Sequence, residues 1–247
     1  MLVAAALPGF PEVRAGDDLA ALLVEAAGML ADGDVLVVAH KIVSKAEGRT
    51  VDLAGIEPTG HAIVLGAAHA KDARLVEVIL RESQEIVRSR PGVLICRTHH
   101  GFVCANAGVD ASNAGAPGEV VLLPSDPDAS ARALRARLRE LTGVAPGIVI
   151  ADSFGRAWRV GQCDVAIGIA GLAPIDDWRG RIDGCGRALD ATMIAVADAA
   201  AAAADLTRGK DSREPAVLVR GLERHVTEGD GPGAAELVRA RAEDLFP

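Results

Sequence analysis

Residues 147–171 read GIVIADSFGRAWRVGQCDVAIGIAG. The apolar run Ile148 to Ile150 predicts a buried strand that stops at Ala151, and Asp152, Ser153, Arg156 and Arg159 follow at once. A second apolar run, Val165 to Ile169, predicts a partner strand that ends at Gly171. On this reading an acid-hydroxyl-arginine loop joins two buried strands. Such a loop suits a polyanion held through a metal. Asp and Ser offer hard oxygen ligands for Mg²⁺ or Mn²⁺, and Arg offers paired donors to phosphate or carboxylate. A polar strand-end turn with solvated arginines fits the same residues equally well.

Outward from this segment, strand and helix patterns follow one another without a regular βαβ beat. The expected class is therefore α+β, with mixed or antiparallel sheets and packed helices. Helices are expected from Asp17-Asp18 to Leu30, over 71–89 with Leu75, Val78, Ile79 and Ile86 on the apolar face, from a Ser125-Asp126-Pro127 cap to Leu141, over 187–206, and over 233–245. Strands are expected at Val35–Ala39, Val93–Arg97, Phe102–Ala105, Val120–Leu123 and Pro215–Arg220. One module over 1–247 is expected. A break near 60 or near 110 would divide it into two lobes, but composition does not shift sharply at either.

The bulk composition narrows the classes. Half of the 247 residues are hydrophobic, enough for a sizeable core, yet only 2% are aromatic, so that core is built from Ala, Val, Leu and Ile. A net charge of −8 argues against general nucleic-acid binding. Any phosphate site must therefore concentrate positive charge locally. Lysine is scarce: Lys41 and Lys45 share one motif, Lys210 lies in another, and Lys71 sits on an expected helix, whereas arginine is used everywhere else. Retained lysine suggests a site that needs a compact ammonium. Cys96, Cys104, Cys163 and Cys185 form no CxxC pair and no zinc spacing, as expected of a reduced, cytoplasmic protein. The opening residues have no basic region and are interrupted by Pro8, Pro11 and Asp17, so they are not read as a signal peptide.

Four further segments carry chemistry. In HKIVSKAEGR (40–49) an extended chain would place Lys45, Glu47 and Arg49 on one face, either as a phosphate-holding row or as a solvated edge strand. In NAGVDASN (106–113), Asp110, Ser112 and Asn113 lie in a glycine-flanked loop. That loop could meet a phosphate and a metal, or simply be an Asx turn. DDWRGRIDGCGR (176–187) reads slightly better as a salt-bridged loop than as a substrate site. GKDSREP (209–215) is a turn that could close over a nucleotide. His99 and His100 fall at an expected hairpin and read as turn or surface residues.

Taken in order, ALPGF, DVLVVAHKIVSKAEGR, HGFVCANAGVDASN, ADSFGRAWRVGQCDVAIGIAG, RGRIDGCGRALDATMIAVADAAAAAADL, PAVLVRG and the closing GPGAAELVRARAEDLF resemble the coenzyme F420:L-glutamate ligase family over almost the whole chain. The resemblance is to the stand-alone form, without the reductase domain fused to some relatives. It implies a GTP-dependent amide ligation of L-glutamate to the F420 precursor through an acyl phosphate. It also implies Mg²⁺ or Mn²⁺ at two sites, potassium in some cases, and an intertwined α+β homodimer.

The resemblance further implies site residues. Leu7, Pro8, Gly9, Phe10, His40, Lys45 and Asn113 match GTP contacts, and Arg208, Gly209, Lys210, Asp211, Ser212, Arg213, Glu214 and Pro215 match the loop that closes on GTP. Asp110 and Asp152 match ligands of the first metal and Ser153 a ligand of the second. Lys45, with Arg156 and Arg159 as anionic-substrate contacts, are the candidate catalytic residues. Two positions depart from the family pattern. His40 stands where Ser, Thr or Gln is expected, and Lys210 stands where some members carry a Gln or Glu metal ligand. A protonated lysine has no lone pair for a metal. Two other functions remain compatible with these residues: a nucleotide-dependent ligase for another carboxylate and amino acid, and a GTP-binding regulatory protein without chemistry.

Overall fold

The computed structural model describes residues 1–244. Its elements run β1 (Val3–Ala6), α1 (Leu19–Ala27), β2 (Val35–Ala39), α2 (His40–Ala46), β3 (Thr50–Asp52), α3 (Gly60–His69), α4 (Ala73–Arg81), β4 (Ser83–Arg90), β5 (Val93–Thr98), β6 (Val103–Ala105), β7 (Glu119–Val121), α5 (Pro127–Thr142), β8 (Gly147–Arg156), β9 (Arg159–Ala170), β10 (Ile175–Asp177), β11 (Met193–Ala195), α6 (Val196–Asp205) and β12 (Ala216–Arg220). The fold is α+β. None of these helices is long and apolar enough to cross a membrane.

A five-stranded sheet, in the order β1-β12-β2-β8-β9, forms the centre. Only β2 and β8 run parallel; the other neighbours are antiparallel. Both faces are covered, which is why β2 and β8 read as unbroken apolar runs. Leu36, Val38, Ile148, Ile150 and Leu218 pack on one face against α1, α2 and α5. Val35, Val37, Val149, Ala151, Val217 and Val219 pack on the other against Ala197, Ala200, Ala201 and Ala204 of α6. The alanine stripe brings that helix close to the sheet. Asp18 caps α1 by accepting from Ala21 N–H at 3.2 Å, and Asp126 caps α5 by accepting from Ala129 N–H at 2.9 Å, with Pro127 in the first turn as expected.

A second core lies apart from the first. Leu53, Ala62, Val76, Val78, Ile79, Leu94, Cys96, Val120 and Leu122 gather between α3, α4 and the strands β3 to β7. Two short sheets, β3-β7 and β4-β5-β6, frame this cluster.

Several expected elements are corrected. The connection after Ala151 is no loop, because β8 runs on to Arg156 and β9 starts at Arg159, making one long hairpin. Ser153 pairs with Asp164, Phe154 with Cys163 and Gly155 with Gln162, so ladder bonds carry the polar residues beyond the apolar runs. Residues 40–46 are helical rather than extended. The helix expected over 71–89 stops at Arg81, where Ser83 Oγ donates to the Ile79 carbonyl at 2.6 Å. Ser83–Arg90 then pairs with β5, because Ile86 buries against the second core more effectively from a strand.

The helix expected over 187–206 begins only at Val196. Asp183 accepts from the N–H groups of Cys185 and Arg187 and turns the chain, and Met193–Ala195 pairs with Ile175–Asp177. The helix expected over 233–245 is replaced by short 3-10 turns at Ala234–Leu237 and Arg241–Glu243, and Leu245 lies outside the described residues. Here tertiary contacts outweigh helix propensity. Asp128 of α5 accepts from both Ile169 N–H and Ala234 N–H at 2.8 Å, and Arg135 donates to the Thr227 and Glu228 carbonyls.

β9 is an edge strand held from both sides: Asp198 of α6 accepts from Ala166 N–H at 2.9 Å, and Asp128 of α5 takes Ile169 N–H. At Gly168 a methyl group would collide with the carbonyl and ring of Pro127 at the start of α5. Gly168→Ala should therefore lower stability by about 1–3 kcal/mol. Gly184→Ala, where a methyl meets nothing within 4 Å, should stay within about 0.5 kcal/mol. Urea unfolding of the two variants beside the parent checks the contrast, and equal midpoints would contradict the packing described for β9.

Candidate functional site

Consecutive side chains on a strand point to opposite faces. Because β8 continues past Ala151, Asp152 shares the face of Ile150 and α2, and Ser153 shares the face of Ala151 and α6. Asp152 and Ser153, both expected as metal ligands, are thereby divided between two polar clusters, one on each side of the sheet end.

On the α2 side, Asp152 lies against His40, whose Nε2 is 3.3 Å from Asp152 Oδ1. The His40 side chain is 2% exposed, and its Nδ1 is 3.5 Å from Ser44 Oγ. Its Nε2 has no hydrogen bond of good geometry, so the contact with Asp152 is electrostatic rather than a well-aligned bond. Burial pushes the Asp152 carboxyl up. The charge and contact of His40, the Ser153 N–H bonded at 2.8 Å and the Lys41 ammonium outweigh it and hold the group below the usual carboxylate range.

Lys41 links this acid to the loop that carries Asp110. Its Nζ donates to Asp110 Oδ2 at 2.6 Å, to Ser112 Oγ at 2.6 Å and to the Ser112 carbonyl at 3.1 Å. Burial pushes Asp110 up as well, and the Lys41 and Ser112 bonds bring it below its ordinary value. Two carboxylates held anionic therefore face one ammonium inside a shell of oxygens.

Among the described residues no group of three or more His, Cys, Asp or Glu side chains could hold a metal ion. Asp110 and Asp152 are two carboxylates that could supply part of the shell of a divalent ion. Magnesium is commonly held by one or two carboxylates with phosphate oxygens and water completing the shell.

On the α6 side, Ser153 Oγ donates to Asp164 Oδ1 at 2.5 Å. Asp164 is 1% exposed, and its second oxygen accepts from Arg208 at 2.7 Å. Arg208 also donates to the Pro215 carbonyl at 2.9 Å, so one guanidinium ties both ends of the 208–215 loop to β9. Lys210 Nζ lies 2.9 Å from Ser153 Oγ, 3.4 Å from Asp164 Oδ1 and 2.5 Å from Asp205 Oδ1. Burial lowers the Lys210 amine, and the contacts and charges of Asp205 and Asp164 together outweigh it, leaving it raised.

Other expected residues lie at different distances from these clusters. Lys45 is buried on α2 and pairs with Glu12. The expected Lys45-Glu47-Arg49 row is corrected: Glu47 accepts from Ser130 at 2.5 Å, and Arg49 binds Glu82 at 2.7 Å and the Leu123 carbonyl. Leu7 closes β1 by donating to the Ala216 carbonyl, Pro8 and Gly9 are exposed, and Phe10 packs at the edge of the core. A cleft of about 260 Å³ lined by Glu12, Lys45, Ala114 and Gly115 brings together the neighbourhoods of Phe10, Lys45 and Asn113. Asn113 is exposed, with φ of 55°.

In the 208–215 loop, Gly209 accepts at its carbonyl from Ser212 Oγ and Arg213 turns with φ of 57°, while Asp211 is exposed and Glu214 half-buried. Arg156 and Arg159 face each other at the exposed hairpin tip. They lie at least four strand positions, about 13 Å, beyond Asp152. The 176–187 segment is a salt-bridged arm, with Arg179 on Asp177 at 2.6 Å and Arg181 over the Trp178 ring at 4.7 Å.

Asp164 and Asp205 were not singled out as site residues from sequence, and Lys41 was noted only among the scarce lysines. Asp164 had one legible signal, an acid directly before an apolar run. Only the hairpin register places it opposite Ser153. Arg208→Ala would leave a buried carboxylate with weaker partners. It should cost toward the lower end of about 3–5 kcal/mol, since Ser153 and Lys210 remain. The Asp164→Ala/Arg208→Ala double variant should cost less than the sum of the single variants in urea unfolding, and strict additivity would contradict a direct Arg208–Asp164 interaction.

The chain was then compared with known proteins. Residues 9–221 match the profile of the F420-0:Gamma-glutamyl ligase family. The coenzyme F420:L-glutamate ligase of Methanopyrus kandleri is 49% identical over 95% of this chain and 93% of its own length. The proteins of the same name from Methanothermobacter thermautotrophicus and Haloarcula marismortui are 45% and 44% identical, covering 96% and 97% of this chain and 96% and 93% of their own lengths. With the match spanning both clusters and nearly every element of the fold, the chain belongs to the F420-0:gamma-glutamyl ligase family.

Proposed function

We propose that this chain is a GTP-dependent ligase that joins L-glutamate to the coenzyme F420 precursor F420-0 by an amide bond, through an acyl phosphate, in F420 biosynthesis. One observation carries the reading. Lys41, Arg208 and Lys210, each matched to carboxylate or hydroxyl oxygens, gather around Asp152 and Ser153 of one β-hairpin, in a chain whose relatives at 42–49% identity are named coenzyme F420:L-glutamate ligase.

A carboxylate is a poor electrophile until one oxygen becomes a good leaving group. An oxygen of the F420-0 carboxylate attacks the γ-phosphorus of GTP, the bond to the β-phosphate oxygen breaks, and GDP leaves. The glutamate amine then attacks the acyl carbon, loses a proton, and expels inorganic phosphate. Both steps crowd negative charge, so cations placed beforehand lower their barriers.

Lys41, released from Asp110, and Lys45, released from Glu12, supply ammonium groups along the path from the 260 Å³ cleft to Asp152. Asp110 and Asp152 would hold Mg²⁺ or Mn²⁺, with potassium assisting; the divalent ion would polarise the phosphoryl oxygens. Arg208 holds the 208–215 loop beside the same hairpin, where closure on the nucleotide would exclude water. Arg156 and Arg159, at the tip, suit the far anionic end of a long acceptor. A homodimer belongs to the same proposal. Trp158 and Val160 at the tip, and Ile182, Met193 and Ile194 on the β10–β11 arm, are exposed apolar side chains that a second copy would cover.

A mass-spectrometric assay tests this. Purified protein, glutamate-free F420 precursor, L-glutamate, GTP and Mn²⁺ should yield a product one glutamyl residue heavier, and ATP should not replace GTP. GTP binding without product would favour another acceptor or a protein without chemistry. Asp152→Asn should lose at least about 10²–10³-fold in kcat while keeping its unfolding transition, and unchanged activity would remove Asp152 from the reaction.

A further inference from the structure

Lys210 occupies the place where a metal would bind on the α6 side. Its Nζ sits among Ser153 Oγ at 2.9 Å, Asp164 Oδ1 at 3.4 Å and Asp205 Oδ1 at 2.5 Å. Three oxygens from three elements around one positive charge make the shell of a small cation. The remaining valence of the cluster is already filled. The second oxygen of Asp164 is bound by Arg208, and the Ser153 hydroxyl gives its proton to Asp164. Two carboxylates, Asp164 and Asp205, thus face two fixed cations, Lys210 and Arg208, and the local charge closes to zero. A divalent ion placed against Ser153 would enter a neutral patch beside two positive charges and would gain no ligand from lysine. The donor set does not fit a second metal.

We infer that Lys210 is a built-in cation that replaces a second divalent ion at Ser153, so that each chain works with a single divalent ion, held on the other face of β8 by Asp110 and Asp152. This inference rests on the metal-dependent reading above and adds to it. Lys210 sits on the loop that Arg208 ties down, and its side chain is 64% exposed. The same loop movement would therefore deliver the charge to a phosphate and withdraw it, whereas a bound metal stays in place. Asp205 at the end of α6 holds the ammonium in the resting position. In Lys210→Gln the cluster carries one net negative charge and gains an amide oxygen beside Ser153, Asp164 and Asp205, which makes it a metal site.

Binding stoichiometry decides the matter without reference to turnover. Mn²⁺ is titrated by electron paramagnetic resonance into the full-length protein in the presence of GDP. The parent chain should saturate at one Mn²⁺ per chain, and Lys210→Gln and Lys210→Glu at two, with the added ion tighter in the Glu variant. Asp152→Asn should remove one ion from each. Two ions on the parent chain overturn the inference and leave the metal-dependent reading intact. One ion on both Lys210 variants also overturns it, because the lysine would then be blocking nothing. No ion on the parent chain overturns this inference and the metal-dependent reading together.

Discussion

The alternation of side chains along β8 is the constraint on which the site depends. Asp152 and Ser153 are neighbours in sequence, but on a strand they must leave from opposite faces of the sheet. Had residues 152–158 formed a loop, both could have served one ion. Because the hairpin holds its ladder as far as Arg156, they belong to two clusters that share only the thickness of one strand. The sheet supplies that rigidity. β8 lies between β2 and β9 with apolar layers on both faces, so the backbone positions of Asp152 and Ser153 are fixed by burial rather than by the polar contacts themselves.

Each cluster solves the same electrostatic problem. Carboxylates next to a buried sheet lose hydration and must be matched by a cation or a hydrogen bond. On the α2 side Lys41 answers Asp110, and His40 lies against Asp152; on the α6 side Arg208 and Lys210 answer Asp164 and Asp205. The arrangement keeps an acidic chain stable and also keeps ammonium groups in reserve. In the proposed reaction a triphosphate would draw Lys41 from Asp110, leaving that acid to a divalent ion, and Lys45 from Glu12. The buried Arg208 is different: its pairing with Asp164 is structural and anchors the loop.

Much of this was legible in the residues. The apolar runs of β2, β8 and β12, the capped start of α5 and the β5–β6 pair follow from periodicity and turn chemistry. Asp152 was singled out because a hydroxyl and two arginines follow it at the end of an apolar run, and Asp110 because it lies in a glycine-flanked loop. The failures share one cause: partners distant in sequence. Ser83–Arg90 looked helical because Ile86 sits at helical spacing from Val78 and Ile79, and only its pairing with β5 makes it a strand. The chain after Gly231 looked helical because nothing local reveals that Asp128 takes up the Ala234 N–H, just beyond the Thr227 and Glu228 carbonyls that Arg135 binds. Asp164 was passed over because its importance is one of register. It stands opposite Ser153 only because the β8–β9 turn and the irregularity near Ile150 set the pairing. Lys45 was read on an extended chain, whereas it lies on the helix that buries it.

The central claim is that the acceptor carboxylate is activated by phosphorylation at this hairpin end, and oxygen transfer tests it most directly. F420-0 labelled with ¹⁸O in its carboxylate is turned over with L-glutamate and GTP, and the released inorganic phosphate is weighed by mass spectrometry. An acyl phosphate requires one ¹⁸O atom to leave with each phosphate, with the other retained in the amide carbonyl. Phosphate free of label, from a reaction that still forms the amide, would contradict the account.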